Sequence, residues 1–386
     1  MKKFISIILS FVFAITVYAQ HVPKTLNWDG IDRDYLEYLP ASYTGETSIP
    51  VIFCLHGLGD NMQNFSGVGF NYLPGNWIVI TPQALMASLS GYEIGTAWNS
   101  GAGAELPFFG YTVLNAEVDD AGFLIAILDS LENNYNINTD SVFFMGFSMG
   151  GFMSQKMAVL HGDRITAIAS VSGTLGSDVT EMPQVPMNVL HFHGTADSQV
   201  QYEDAGFNSG MGYYSVGLGA EQTVEYWRSY NNCDMEPVVT YFPNIRDDGK
   251  TFERYLYLNG TNETYTAFVK VIGGDHEWYY APQNDIDYTT EIFKFFTNNM
   301  DFPTGLATAT AKNIHVYPNP ASDFISIECN TNAEVKILDI TGKLVKQLNI
   351  GDGATTIQVS ELSSGLYVLQ IQSGSNITSS RFEIVR

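Results

Sequence analysis

The sequence predicts an α/β protein, a mostly parallel sheet with helices on both faces, followed by a small all-β domain. Three observations carry that expectation. Between Trp28 and Met300 short β-rich runs alternate with helical patterns. The strand candidates are apolar along their whole length, as strands covered on both faces are. From residue 314 onward the texture changes to short alternating strands separated by turn residues. With 386 residues, 45% of them hydrophobic and 13% aromatic, the chain exceeds one typical domain and can bury a core.

Residues 1–19 read as an export signal: Lys2 and Lys3 precede an apolar run from Phe4 to Val17, and Val17-Tyr18-Ala19 offers a cleavage site before Gln20. That run is shorter than the roughly 20 residues a membrane helix needs. Ser6, Ser10 and Thr16 interrupt it, and no other stretch approaches spanning length, so no membrane span is expected in the mature chain.

Residues 20–300 form the expected α/β domain. Its strand candidates are Val51–Leu55, Trp77–Thr81, Ser141–Met145, Ala167–Val171, Val189–Phe192 and Phe268–Ile272. Helical spacing appears over Asp119–Leu131, Phe152–Leu160, Glu221–Tyr230 and Thr290–Asn299. Residues 301–313 contain a run of small residues, Thr304 to Ala311, that reads as a linker. Residues 314–386 then form a small β-sandwich-like domain with strand candidates Ile325–Glu328, Val335–Asp339, Thr356–Val359, Tyr367–Ile371 and Arg381–Val385.

Charge narrows the function classes. With 41 acidic and 18 basic residues the net charge is −23, a field that repels nucleic acid and anionic membranes and suits a neutral or hydrophobic substrate. The three cysteines, Cys54, Cys233 and Cys329, are too few and too scattered for a disulfide framework, and no zinc-ligand spacing occurs.

The chemistry is carried by Gly146-Phe147-Ser148-Met149-Gly150, a G-x-S-x-G motif entered by an apolar strand and left by a helical pattern. In that setting the serine sits on a tight strand-to-helix turn with its hydroxyl above the sheet, the nucleophile elbow of the α/β-hydrolase fold. Chain order in this fold is nucleophile, acid, histidine, and of the seven histidines His276, in Gly273-Gly274-Asp275-His276 after a strand candidate, is the base that order leaves. Asp197, in His193-Gly194-Thr195-Ala196-Asp197, is the favoured acid, with Asp178, Glu203 and Asp204 as rivals. The oxyanion donors are expected to be the backbone amides of Met149 and of Leu58, the latter in the glycine loop His56-Gly57-Leu58-Gly59, where His56 braces the loop. Trp98, Trp278, Tyr213 and Tyr214 are expected to line the substrate cleft, a role as core anchors being the competing reading for two of them. The glycine-rich stretch Gly206–Gly219 is expected to form a mobile wall. The reaction requires no metal and no cofactor.

These residues together resemble the extracellular polyhydroxybutyrate depolymerase-like and feruloyl-esterase-like α/β hydrolases over roughly Trp28 to Met300. The resemblance rests on His56-Gly57-Leu58-Gly59-Asp60, Thr96-Ala97-Trp98-Asn99, Val118-Asp119-Asp120-Ala121-Gly122-Phe123, the Ser148 motif, the Asp197 motif and Gly274-Asp275-His276-Glu277-Trp278. It implies Ser148, Asp197 and His276 as nucleophile, acid and base. The chain departs from the pattern in having Gly101-Ala102-Gly103-Ala104 where such relatives carry a cysteine, and in lacking a partner for Cys233 upstream of His276. The tail resembles the sorting domain of type IX secretion substrates, on Tyr317-Pro318-Asn319-Pro320 and Gly365-Leu366-Tyr367-Val368, which implies the type IX secretion machinery as partner and removal of the tail at the linker.

The expected activity is hydrolysis of a carboxylic ester through an acyl-enzyme. Polymeric esters, polyhydroxyalkanoates or aromatic polyesters such as polyethylene terephthalate, are the first substrate class. Feruloyl or acetyl esters of plant polysaccharide are the second. A non-catalytic surface binding protein on the same scaffold is the alternative of another kind, against which the complete Ser148, Asp197 and His276 set argues.

Overall fold

The computed structural model describes residues 21–300 and 317–386, apart from 210, 211, 247, 299, 330–332, 340–342, 352, 374 and 375. The export-signal segment 1–19 and the linker 301–313 lie outside those residues. The chain divides into two compact units, Met1–Met300 and Asp301–Arg386.

The first unit is built on a ten-stranded sheet. Its strands are β1 (His21–Trp28), β2 (Ile31–Tyr38), β3 (Ile49–Leu55), β4 (Ile78–Pro82), β5 (Ile137–Phe147), β6 (Ala167–Val171), β7 (Asn188–Gly194), β8 (Val238–Tyr241), β9 (Thr251–Tyr257) and β10 (Thr266–Ile272). The order across the sheet is β1-β2-β4-β3-β5-β6-β7-β10-β9-β8. The middle, from β4 to β10, is parallel, while β1, β2, β9 and β8 add antiparallel flanks. The six apolar runs read as strands all lie in this parallel block, and Val51–Leu55 is fully buried, as a strand covered on both faces must be. Pro50 cannot donate to the ladder, and the pairing of β3 with β5 shifts register between Ile49 and Val51.

Among the described residues four helices of nine residues or more accompany the sheet: α1 (Asp120–Asn134), α2 (Met149–His161), α3 (Ala220–Tyr230) and α4 (Tyr288–Phe296). Asp119 caps α1 by accepting from the Gly122 amide at 2.9 Å, and Phe123, Leu124, Ile127, Leu128 and Leu131 form its buried stripe. The α2 helix starts three residues earlier than the hydrophobic spacing indicated, because its first turn is the Met149-Gly150-Gly151 of the motif itself. The β1–β2 hairpin and the β8–β9 pair were not among the strand candidates: Ile31-Asp32-Arg33-Asp34 reads as polar surface, yet Arg33 is buried at 2% exposure. Its guanidinium donates to Asp120 Oδ1 at 2.6 Å and lies over the Phe123 ring, while Asp120 Oδ2 accepts from the Asn99 amide at 2.6 Å. One buried ion pair thus ties the flanking hairpin, the start of α1 and the Trp98-Asn99 loop together.

Helix α2 packs against the sheet with no room for side chains. A Cβ on residue 150 would lie 2.0 Å from the Leu55 carbonyl oxygen, and one on residue 146 would lie 2.1 Å from the Gly150 carbonyl oxygen. Both motif glycines are therefore set by contact distance.

The second unit pairs Phe324–Cys329 with Gly353–Gln358 and forms a four-stranded antiparallel sheet from Leu344–Ile350, Ala333–Asp339, Gly365–Ser373 and Asn376–Ile384. Alternation places Val335, Ile337, Leu369 and Ile371 in a core with Ile325, Ile327 and Phe382. Among the described residues no helix is long and apolar enough to cross a membrane.

Two substitutions test this packing. Asp120→Ala leaves the Arg33 charge buried without its partner and is expected to lower unfolding free energy by about 3–5 kcal/mol; a denaturant midpoint equal to wild type would refute the role of the pair. Gly150→Ala places a methyl against backbone that cannot retreat and is expected to remove more than about 3 kcal/mol, read as loss of the cooperative thermal transition.

Candidate active site

Strand β5 delivers Ser148 at the point where it ends and α2 begins. Ser148 N donates to the Val171 carbonyl at 2.8 Å, and its own carbonyl accepts from Gly151 and Phe152 at 2.8 and 3.1 Å, so the residue is fixed from both sides. Its backbone takes φ 54° and ψ −122°, a conformation that costs a non-glycine residue about 1–3 kcal/mol. Although it occupies the cap position of α2, its side chain makes no capping bond and the hydroxyl faces a cavity.

The loop after β3 passes directly over this turn: a Cβ on residue 57 would lie 3.3 Å from the Ser148 Cβ. His56 holds the loop in place. Its Nδ1 lies 2.8 Å from the Gly57 carbonyl and so carries the proton, which leaves Nε2 to accept the Ala84 amide at 3.1 Å. Burial pushes the His56 pKa down, keeping that neutral form. Trp98 Nε1 donates to the His56 carbonyl at 2.9 Å, and the Gly59 amide donates to the Thr96 carbonyl at 2.9 Å. Leu58, half exposed, lines the cavity beside Met149, whose amide lies in the first turn of α2 where a helix leaves its donors without intrahelical partners.

Asp197 follows β7, and its loop folds back on its own carboxylate: Oδ1 accepts from the Gln199 and Val200 amides at 2.9 and 2.8 Å. His276 comes in from the loop after β10 and points Nδ1 at Asp197, 2.8 Å from Oδ2 and 3.1 Å from Oδ1. Asp275 Oδ1 joins the two loops by accepting from both the Ser198 and His276 amides at 2.8 Å. Burial alone would raise the Asp197 pKa, but the hydrogen bond and charge of His276, with His193 and the Val200 amide, outweigh it and hold the carboxyl below its ordinary value. Of the rival acids, Asp204 receives the Tyr213 hydroxyl instead, and neither it nor Asp178 or Glu203 is bonded to His276.

Ser148 and His276 border one cavity of about 680 Å³, with no hydrogen bond joining them in the structure. Catalytic contacts of this kind commonly tighten only on substrate binding. The cavity walls are apolar: Leu58, Leu106, Phe147, Phe152, Val200 and Phe207 lie among the lining residues. Among the described residues, Asp60, Thr112 and Gln199 are its polar side chains besides Ser148 and His276, and no lysine or arginine lines it. Much of the wall comes from three hairpins that stand outside the main sheet, Leu85–Leu89 with Tyr92–Ala97, Gly103–Leu106 with Gly110–Val113, and Gly206–Ser209 with Gly212–Ser215.

The four aromatic residues expected to line the cleft do not border this cavity. Trp98 is fully buried and anchors the His56 loop from below. Trp278 packs edge-on against Phe147, Phe65 and Tyr288, in an aromatic cluster behind the wall. Tyr213 turns to the outer side of its hairpin and binds Asp204. Tyr214 stands opposite Phe207, its ring 5.8 Å away, and backs the residue that does reach the cavity. The glycine-rich stretch Gly206–Gly219 thus contains a paired hairpin and lines the cavity through Phe207 and Val216.

Residues 43–207 match the phospholipase/carboxylesterase family and residues 315–385 match the secretion system C-terminal sorting domain. Among curated proteins the chain is similar to feruloyl esterase B of Piromyces equi, 25% identical over 212 residues that make up 53% of this chain and 37% of that protein. It is also similar to feruloyl esterase D of Neurospora crassa, 28% identical over 250 residues, 58% of this chain and 79% of that protein. The chain spans about half the length of the first curated relatives it matches. A solved ferulic acid esterase from Anaeromyces mucronatus, in complex with ferulic acid, aligns with a TM-score of 0.44 and 18% identity, covering 73% of this chain and 91% of that one. A sorting domain of the kind found at residues 315–385 addresses a chain to the type IX secretion system, and so to the cell surface or beyond.

Proposed function

We propose that this chain is an exported serine ester hydrolase that works through an acyl-enzyme on neutral esters with an apolar acyl group. The observation that carries the reading is the Ser148 hydroxyl, held on a strained turn and not engaged in capping, in the same apolar cavity as His276, which is itself bonded to Asp197 at 2.8 Å. The chemistry follows from the side chains. With Nδ1–H donated to Asp197, His276 keeps Nε2 as a base. Nε2 takes the Ser148 proton as Oγ attacks the ester carbonyl, and the carbonyl π electrons move onto oxygen. The Leu58 and Met149 amides receive that oxyanion, a contribution worth about 10²–10³ in rate per donor. As the carbonyl re-forms, the bond to the alcohol breaks and His276 returns the proton to the leaving oxygen. Water then repeats the sequence on the acyl-enzyme and releases the acid.

The cavity is large enough for an aromatic acid, and its apolar wall without a lysine or arginine disfavours an anionic acyl group. Feruloyl-type aromatic esters on plant polysaccharide are favoured by the two relatives named above, both feruloyl esterases. Polyester hydrolysis is the second reading. It is favoured by Phe108 and Tyr92, 97% and 78% exposed, on two of the hairpins that wall the cavity, where a flat apolar polymer could lie.

Ser148→Ala is expected to cut kcat on a chromogenic short-chain ester by about 10⁴-fold or more with the thermal transition retained; wild-type turnover in a folded variant would overturn the mechanism. Purified protein supplied in parallel with feruloylated xylan, polyhydroxybutyrate film and terephthalate polyester film is expected to release ferulate fastest. Product from a film alone would replace the first substrate reading with the second.

A further inference from the structure

Behind Asp197, strand β7 carries two histidines that the reaction above does not use. His191 and His193 are both fully buried. Their protonation can be worked out from their partners. His193 Nε2 lies 2.8 Å from the Val200 carbonyl oxygen, which can only accept, so Nε2 carries the proton. His193 Nδ1 is then an acceptor in the neutral ring, and His191 Nε2, 3.2 Å away, is the donor to it. Burial is the leading cause that pushes both pKa values down, which keeps the pair neutral. The rings are clamped from the side, His191 by a stack on Phe268 and His193 by an edge contact with Tyr202.

The same His193 Nε2 stands 3.4 Å from Asp197 Oδ2, the oxygen that binds His276. Val200, whose carbonyl takes the His193 proton, gives its amide to Asp197 Oδ1 at 2.8 Å. A closed circuit results: the end of β7, His193, Val200, Asp197 and back along the loop. Two polar rings in a strand covered on both faces cost desolvation that apolar side chains would not incur, so packing alone does not account for them.

We propose that His193, fixed in its tautomer by the Val200 carbonyl and backed by His191, is a positioning residue that sets the carboxylate of Asp197 against His276. The inference rests on the assignment of Asp197 and His276 given above. His193 touches neither substrate nor nucleophile; it acts through the acid, and its loss should appear in turnover more than in substrate binding.

The test uses two polar substitutions that differ in where they place a donor. Glutamine puts its amide nitrogen near the Nε2 position, and asparagine near the Nδ1 position. His193→Gln is expected to keep kcat within a few-fold of wild type. His193→Asn is expected to lose about tenfold or more, up to the roughly 10⁴-fold that a misdirected acid costs, with KM within about twofold. In an Asp197→Ala background His193→Asn should cost nothing further, because the group it acts through is gone. Equal kcat for the two variants, whether both high or both low, would overturn the proposal, as would an asparagine loss of unchanged size in the Asp197→Ala background. Ser148→Ala run alongside keeps the failures apart: if it retains turnover, the mechanism itself falls, whereas a dead Ser148→Ala with a fully active His193→Asn removes only the positioning role.

Discussion

The carbonyl oxygen of Leu55 and the backbone of Gly150 come so close that a single methyl group at residue 150 would overlap the strand, and Gly146 meets Gly150 in the same way. That contact between helix α2 and the sheet forces the turn between β5 and α2 to be as short as one residue, and Ser148 occupies it with a positive φ. Its hydroxyl makes no capping bond and borders the cavity. The first turn of α2 is brought beside it with unpaired amides, and the loop after β3 is brought over it. The strain at Ser148 persists because strand β6 and the helix fix it through bonds to Val171, Gly151 and Phe152.

Much of this was legible in the sequence because it depends on residues with few alternatives. Short apolar runs bounded by turn residues fit strands buried on both faces, which placed Val51–Leu55 and Ala167–Val171 in the parallel block. A serine between two glycines at a strand-to-helix junction has one structural use that a random turn does not explain. Position just past a strand end favours Asp197 without excluding Asp178, Glu203 or Asp204, since turn aspartates look alike until their partner is known; in space it is Asp197 that His276 bonds.

The rest was hidden for identifiable reasons. Arg33 looks like surface, and the carboxylate of Asp120, far along the chain, makes its burial tolerable. The rim hairpins read as loops because glycines and polar residues break their alternation. Aromatic residues near motifs were ambiguous by nature: Trp98 is wanted for its indole N–H, which holds the His56 carbonyl, and a sequence does not say whether a tryptophan is valued for its face or for its donor. Phe207 was marked only by its place in the glycine-rich stretch Gly206–Gly219. Cys54 and Cys233 are buried free thiols, so the α/β unit owes its stability to packing of the kind centred on Phe53, Phe144 and Trp98.

The floor of the cavity and its walls come from different kinds of structure. Ser148, Asp197 and His276 stand on the ends of strands shared by the whole parallel sheet, whereas each hairpin of the wall closes its own two-stranded ladder. A hairpin can lengthen, shorten or exchange its turn without disturbing a hydrogen bond of the large sheet. Insertion and deletion in such turns can therefore reshape the chamber across generations while Ser148, Asp197 and His276 stay fixed, so related chains can come to hold different molecules without any change at those three positions.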